Sequence, residues 1–238
     1  QNKCVMSKPK LYYSLFSPPA RACILTAELI GLDLELMLVN MAAKQHFTPE
    51  YLALNPQHQI PVFVEEDNEV FIDSHAIMAY MVSKYGKNDD MYPKDLKKRA
   101  RVDHMLHFEN GVLFQVIKDM VRRNIYGGEG EFNKITLDLC DSAYTFLEAF
   151  LGKSNFFANS ETLTIADVSI NTSLISLDML IPVDKNRFPR LQAWMERMKA
   201  LLPSYEEVNI KGAKALCERI RNCMRENKVK TESNTEYD

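Results

Sequence analysis

The sequence predicts an α/β unit followed by an all-helical one, with residues 8–88 forming the first and 95–225 the second. Two observations carry this. Before about residue 90, short β-rich runs alternate with runs of helical period; after it, strand signals almost vanish and helical periodicity takes over. The composition agrees: 238 residues, 46% of them hydrophobic, can bury a sizeable core as one large domain or two small ones.

Lys10 to Tyr13 is short and aromatic and reads as a strand. Ser17-Pro18-Pro19 supplies a helix N-cap and prolines suited to a first turn. Ala22, Leu25, Leu29 and Ile30 then follow at helical spacing until Gly31 stops the helix. Leu34 to Val39 reads as a second strand, and Thr48-Pro49-Glu50 opens a short helix ending near Asn55-Pro56. Pro61 to Val64 and Val70 to Ile72 flank the acidic turn 65–68, which makes a hairpin. Asp73-Ser74 begins a helix carrying Ile77, Met78, Met81 and Val82, which stops at Gly86. The order β-α-β-α-β-β-α implies a mixed sheet covered by helices.

Tyr92-Pro93-Lys94-Asp95 reads as the connector. Residues 96–125 form one long helix ended by Tyr126-Gly127-Gly128. Further helices are expected over 133–152, from Thr164-Ile165-Ala166-Asp167, over Pro189 to about Leu201, and over 209–225. The polar tail from Glu226 is expected to be disordered, so 1–7 and 226–238 read as flexible ends. Met6-Ser7-Lys8 reads as a natural N-terminus, with residues 1–5 a processed remnant or an added scar, and nothing there resembles a signal peptide.

No apolar run approaches the length of a membrane span. A net charge of −3 argues against a nucleic-acid binder, which shows a basic excess or stripe. The five cysteines (4, 23, 140, 217 and 223) are scattered without a C-x-x-C pair, so neither a disulfide framework nor a metal site follows. They read as free thiols of a reducing, cytoplasmic compartment.

Three features of the first half converge. Ser17 follows a strand and opens a helix, where a hydroxyl can donate to an anion beside the positive end of the helix dipole; the same serine is also an ordinary N-cap. Ile60-Pro61 follows the polar run Asn55 to Gln59, and a proline opening a strand there is a good cis candidate. A cis bond would turn the Ile60 backbone outward toward an extended peptide, with His58 beside it; an ordinary loop is the alternative. Asp73-Ser74-His75 sits at another helix N-terminus, suited to a carboxylate, with Asp73 able to hold an ammonium; a simply capped helix is the alternative. Jointly these groups suit a small zwitterionic ligand with a free α-amino acid end.

With the motifs now quoted, and with His107 to Phe114 and Leu163-Thr164-Ile165-Ala166-Asp167, residues 8 to about 225 resemble the cytosolic glutathione transferases. The serine with two prolines, the Asn-Pro-Gln-His run and Ser74-His75-Ala76-Ile77 are similar to the insect epsilon class. The delta class, usually with Arg where this chain has His75, is the nearest alternative. The resemblance implies a thioredoxin-like N-terminal domain, a C-terminal helical bundle, a homodimer, and glutathione as co-substrate without a metal.

It also implies roles. Ser17 would stabilise the glutathione thiolate. Ile60, ahead of Pro61, would pair with the cysteinyl backbone; His58 and His46 would sit near the glycyl carboxylate. Asp73 would hold the γ-glutamyl ammonium and Ser74 the γ-glutamyl carboxylate, with His75 alongside. Thr164 and Asp167 match a helix capping box, and Glu109 to Gly111 match a region near the dimer interface. A pocket for an electrophile between the domains would be lined by Phe16, Pro18, Met41, Phe114, Ile117, Lys118, Val121, Arg122, Ile125 and Tyr126. Phe114, Ile117, Val121 and Ile125 recur every three or four residues, a stripe that core packing also explains. Epsilon enzymes often have an acidic residue one turn after a basic one near Lys118; here that position is Arg122, and the doubled positive charge would favour polar or anionic substrate groups.

The activity implied is conjugation of glutathione to hydrophobic electrophiles: xenobiotics such as insecticides or plant compounds, or lipid peroxidation products. Two alternatives are glutathione-dependent work in ecdysteroid-linked metabolism and a non-catalytic, ligandin-like carrier of apolar molecules. Members of the ecdysteroid-linked branch usually carry an acidic side chain where Ile117 aligns. Gln59 replaces a more usual Thr, and Asn159 stands where the family often has Gly; Asn tolerates positive φ, so the turn persists.

Overall fold

A computed structural model describes residues 8–235, with side chains to Lys230; the ends expected to be flexible at 1–7 and 236–238 lie outside the described residues. Four strands, β1 (Lys10–Tyr13), β2 (Glu35–Leu38), β3 (Val62–Val64) and β4 (Val70–Ile72), form one mixed sheet in the order β2-β1-β3-β4. β1 is parallel to β2 and antiparallel to β3, and β3 pairs antiparallel with β4 across the acidic turn. This is the thioredoxin-like architecture the sequence predicts.

Two helices, α1 (Pro18–Ile30) and α3 (Ser74–Tyr85), pack together through the core that holds Leu11, Leu25, Phe63, Ile77, Met78 and Met81. A second cluster gathers Val39, Tyr51, Val62 and Val64, with Tyr51 supplied by the short helix α2 (Pro49–Leu54). Gly31 ends α1 in the left-handed conformation at φ 73°, where a side chain is strained and glycine is not.

The helical half begins with α4 (Leu96–Phe108) and continues through α5 (Phe114–Met120). The single long helix expected is present, but π-helical segments at Glu109–Leu113 and Val121–Tyr126 interrupt its α geometry. Three helices follow: α6 (Lys134–Leu151), α7 (Ile165–Leu180) and α8 (Pro189–Leu201). Asn159 takes φ 51°, so the turn persists without glycine. Residues Ile165 to Leu177 of α7 are buried throughout, as befits a central helix enclosed on all sides.

The last helix, α9 (Lys211–Thr235), corrects one expectation: the chain is not disordered from Glu226 but stays helical for nine residues beyond it. Composition alone misleads here because the helix is held by tertiary contacts. Asn227 Nδ2 donates to the carbonyls of Asn124 and Glu129, and Lys228 pairs with Glu131.

Arg21 of α1 ties the two halves together. Its buried guanidinium donates to Thr172 O and Ser176 Oγ of α7, both at 2.7 Å, and to Leu15 O at 3.3 Å. Burial lowers its pKa to about 9, so it is still cationic at neutral pH.

A carboxylate braces the sheet against α3. Glu65, at the end of β3, is buried and accepts from Tyr80 and Lys84 at 2.6 Å and from Tyr85. Burial pushes its carboxyl up, but bonds from Lys84, Tyr80, Tyr85 and the Glu66 N–H outweigh this and hold it at about 2. A depressed carboxyl contributes stability above its unfolded pKa and loses it as pH falls through the folded one. Acid titration of stability is therefore expected to show a loss of about 3 kcal/mol from this group between roughly pH 4.5 and 2. Glu65→Gln should remove that segment of the profile; an unchanged profile would contradict the assignment.

Candidate active site

Strand register gathers the predicted residues at one end of the sheet. Tyr12 pairs with Val62, so the segment after β1 lies beside Ile60-Pro61. Val62 pairs with Ile72, which brings Asp73-Ser74 next to the same turn. Tyr13 pairs with Leu38, and Val39 N–H donates to Tyr13 O at 2.8 Å, so Met41 and His46 follow from that end as well.

Ser17 is the N-cap of α1, in extended conformation at φ −89° and ψ 113°. Its Oγ accepts from the Ala20 N–H at 3.3 Å. The hydroxyl proton is then left to donate to an incoming anion, beside the positive end of the helix. Pro18 is buried in the first turn, whereas Phe16 is 47% exposed on the preceding loop.

The Ile60–Pro61 peptide is cis, as its position suggests. Asn55 shapes the run before it: its Nδ2 and the Tyr51 hydroxyl both donate to Gln59 O, at 3.0 and 2.8 Å. Asn55 Oδ1 also accepts from Gln57 N–H at 2.9 Å, and Asn55 O from His58 N–H at 2.9 Å. His58, at φ 47°, then stands exposed beside a ring cluster. Phe47 lies 4.2 Å from His46 and 4.6 Å from His58 between ring centres, and the two histidines are 6.3 Å apart. Burial, then His58 and Lys44, lowers the His46 pKa, and its Nδ1 is buried without a partner. A carboxylate arriving beside the ring would favour its protonated form.

Asp73 caps α3: its Oδ1 accepts from His75 N–H at 2.9 Å and Ala76 N–H at 3.2 Å. The His75 ring turns toward the helical half, with Nε2 at 2.9 Å from Ser169 Oγ and 3.1 Å from Glu109 Oε2. Glu109 is buried and also accepts from Ser173. The network joins the start of α3 to α7 and to the first π-helical segment.

The residues predicted for the electrophile pocket divide. Phe114, Val121 and Ile125 are half-buried against the main core, and Met41 against the smaller cluster. Ile117, 2% exposed, belongs to the core itself and presents no surface to a pocket. Lys118 and Tyr126 are exposed, the latter 82%. Arg122 is paired, its Nη2 lying 2.7 Å from Asp119 Oδ1. The doubled positive charge read from Lys118 and Arg122 is thus partly neutralised by a carboxylate that also holds Arg123 and Thr136.

The comparisons with known proteins fit this geometry. A family model described as the glutathione S-transferase N-terminal domain matches residues 11–89. Glutathione S-transferase 1 of Manduca sexta is 39% identical over 204 residues, covering 85% of this chain and 92% of that relative. The chain belongs to the glutathione S-transferase family. The epsilon-class glutathione S-transferase of the housefly, Musca domestica, has a similar structure: TM-score 0.87, 43% identity, 91% of this chain and 98% of that one covered. A glutathione transferase homologue from Drosophila mojavensis, solved with bound glutathione, follows at TM-score 0.85 and 40% identity, covering 90% and 97%. These relatives set the chain in the insect epsilon/delta group, as an enzyme of a family whose co-substrate is glutathione.

Three of the chain's own thiols, those of Cys23, Cys140 and Cys217, are poor nucleophiles. Burial pushes Cys140 and Cys217 up to about 11 and Cys23 well above its usual range. Among the described residues no cluster of three or more His, Cys, Asp and Glu could hold a metal ion, and no helix is long and apolar enough to cross a membrane. Sequence reasoning passed over Phe47 and gave Glu109 only an interface role. The first signal available was position: an aromatic between two assigned histidines in the same half of the chain.

Proposed function

We propose that this transferase conjugates the glutathione thiolate to hydrophobic electrophiles, with Ser17 as the residue that stabilises the thiolate. The observation that carries this is the Ser17 hydroxyl, which accepts from Ala20 N–H and so has its proton left for a ligand at the helix N-terminus. A free thiol near pKa 8.5 is only a few per cent ionised at pH 7, and each unit of depression is worth about 1.4 kcal/mol. A hydroxyl donor with a helix N-terminus can supply one to two such units, roughly.

The rest of glutathione is assigned by charge. Its glycyl carboxylate goes to His46 and His58, its cysteinyl backbone to Ile60, and its γ-glutamyl end to Asp73 and to Ser74 at the start of α3. His75 acts at one remove, holding the α3 start against Glu109. Substrates of the xenobiotic class suit the apolar side chains of Val121 and Ile125 and the exposed Phe16 and Tyr126. Calorimetry with glutathione, followed by conjugation assays on a panel of aryl halides and unsaturated aldehydes, tests the reading. Saturable glutathione binding and turnover of apolar electrophiles are expected; absence of binding at millimolar glutathione would favour a carrier instead.

The assembly proposed is a cytoplasmic homodimer. Supporting it, Phe146 and Phe150 of α6 are 47% and 37% exposed beside Phe108, an aromatic face that a second copy would cover. Light scattering at the mass of a monomer would contradict it.

A further inference from the structure

Helix α9 touches both halves of the proposed site. Near its start, Gly212 lies so close to the loop before Ser17 that an added Cβ would fall 2.3 Å from Leu15 O and 2.6 Å from Arg21 Cδ. Toward its end, Asn227 Nδ2 donates to Asn124 O at 2.9 Å and to Glu129 O at 3.2 Å. Between those points α9 packs along the Val121–Tyr126 segment and α7.

Asn124 sits in the last turn of the helix that carries Arg122, Ile125 and Tyr126. The final carbonyls of a helix have no partner within it, and Asn227 supplies one from outside. Buried Asn124 in turn uses its own Nδ2 to hold Glu129 O and Glu131 O, both at 3.0 Å, folding the glycine-rich loop back onto the helix end. An added Cβ on Gly130 would stand 2.6 Å from Lys228 Cγ, so loop and helix α9 meet without a gap. Lys228 closes the clasp on Glu131, and Arg123 reaches Glu129 at 2.7 Å.

We propose that Asn227 is a positioning residue: by capping the Val121–Tyr126 segment, it sets the far wall of the electrophile pocket relative to Ser17 and so contributes to substrate choice. The proposal rests on the reading of Ile125 and Tyr126 as pocket residues. The polar stretch after Glu226 thereby becomes part of the site's framework. The Asn227 amide bonds to Asn124 O and Glu129 O both fall on the electrophile side.

The test compares Asn227→Ala, the isosteric Asn227→Asp and the longer amide Asn227→Gln in the full chain. Alanine removes the donor, and aspartate sets a carboxylate against two carbonyls. Both are expected to raise the KM for bulky electrophiles about fivefold, the scale of one lost hydrogen bond, with glutathione KM unchanged and partial rescue by glutamine. Amide hydrogen exchange over residues 122–131 should quicken about tenfold in the same two variants, without change in α1 or α3. Unchanged exchange, unchanged electrophile KM, or an equal rise in glutathione KM would each overturn the proposal. A wild-type enzyme that turns over no electrophile would overturn the functional reading beneath it, which separates the two failures.

Discussion

Asp167→Ala is expected to destabilise the fold by about 4 kcal/mol, enough to lower the folding equilibrium constant about a thousandfold. The carboxylate is fully buried and accepts four bonds: Phe157 N–H at 2.9 Å, Thr164 N–H at 3.0 Å, Thr164 Oγ1–H at 2.8 Å and Trp194 Nε1–H at 3.0 Å. Together they fix the start of α7, the turn Phe157–Asn159 and helix α8 at one point. Alanine strands four buried donors, each costing about 1–3 kcal/mol. Against this stands the relief of removing a buried charge. Burial pushes the Asp167 carboxyl up to about 6 despite its four bonds. A carboxyl raised in the folded state contributes stability below its unfolded pKa that is lost as pH rises through the folded one, here about 3 kcal/mol between roughly pH 4 and 6. The stranded donors outweigh that relief. Asp167→Asn keeps one acceptor oxygen and should cost about 2 kcal/mol while abolishing this pH dependence. Trp194 is the sole tryptophan, so urea unfolding followed by its fluorescence reads both variants. Equal midpoints for wild type and alanine would contradict the assignment.

Ser17→Ala is expected to reduce turnover with a model aryl halide by at least about tenfold, a little over 1.4 kcal/mol of barrier. Two effects must be separated, because Ser17 also caps α1. Loss of the cap alone costs about 1 kcal/mol of stability and leaves a folded enzyme. Loss of the hydroxyl donor raises the pKa of the bound thiol and reduces the ionised fraction at pH 7. The deficit should therefore shrink as the assay pH rises toward the free thiol's pKa, which a purely structural defect would not do. Ser17→Thr keeps both hydroxyl and cap and should recover most of the rate. Full activity in the alanine variant would remove Ser17 from the mechanism.

Most elements were legible because the chain is heavily punctuated. Ser17-Pro18-Pro19, Gly31, Thr48-Pro49 and Asp73-Ser74 mark helix ends by local chemistry, and the apolar spacing between them shows which face is buried. Features that depend on distant partners were not. The orientation of His75 is decided by Ser169, 94 residues on, and by buried Glu109. Arg122 reads as free charge until its turn of helix sets it against Asp119. Ile117 keeps the period of the stripe yet falls in the core, because periodicity marks a buried face without saying whether protein or ligand covers it. The π-helical segments at Glu109–Leu113 and Val121–Tyr126 leave no sequence signature of the kind prolines and glycines leave. The helical tail past Glu226 was hidden for the same reason as His75: its order comes from Asn124, Glu129 and Glu131, which composition does not reveal.

Of the site itself, the glutathione side was the more readable half. Its groups stand at two helix N-termini and one proline turn, each with a local signal. The electrophile side depends on side-chain packing along one interrupted helix, where polar and apolar residues serve core, surface and pocket with the same spacing.

The central claim is that this chain ionises the thiol of bound glutathione through Ser17. Titration of enzyme-bound glutathione by the ultraviolet absorbance of its thiolate measures that directly. The midpoint should lie at least about one unit below that of free glutathione in the wild type, and return toward the free value in Ser17→Ala. A midpoint that is not lowered, or that is equally lowered in both proteins, would contradict the account.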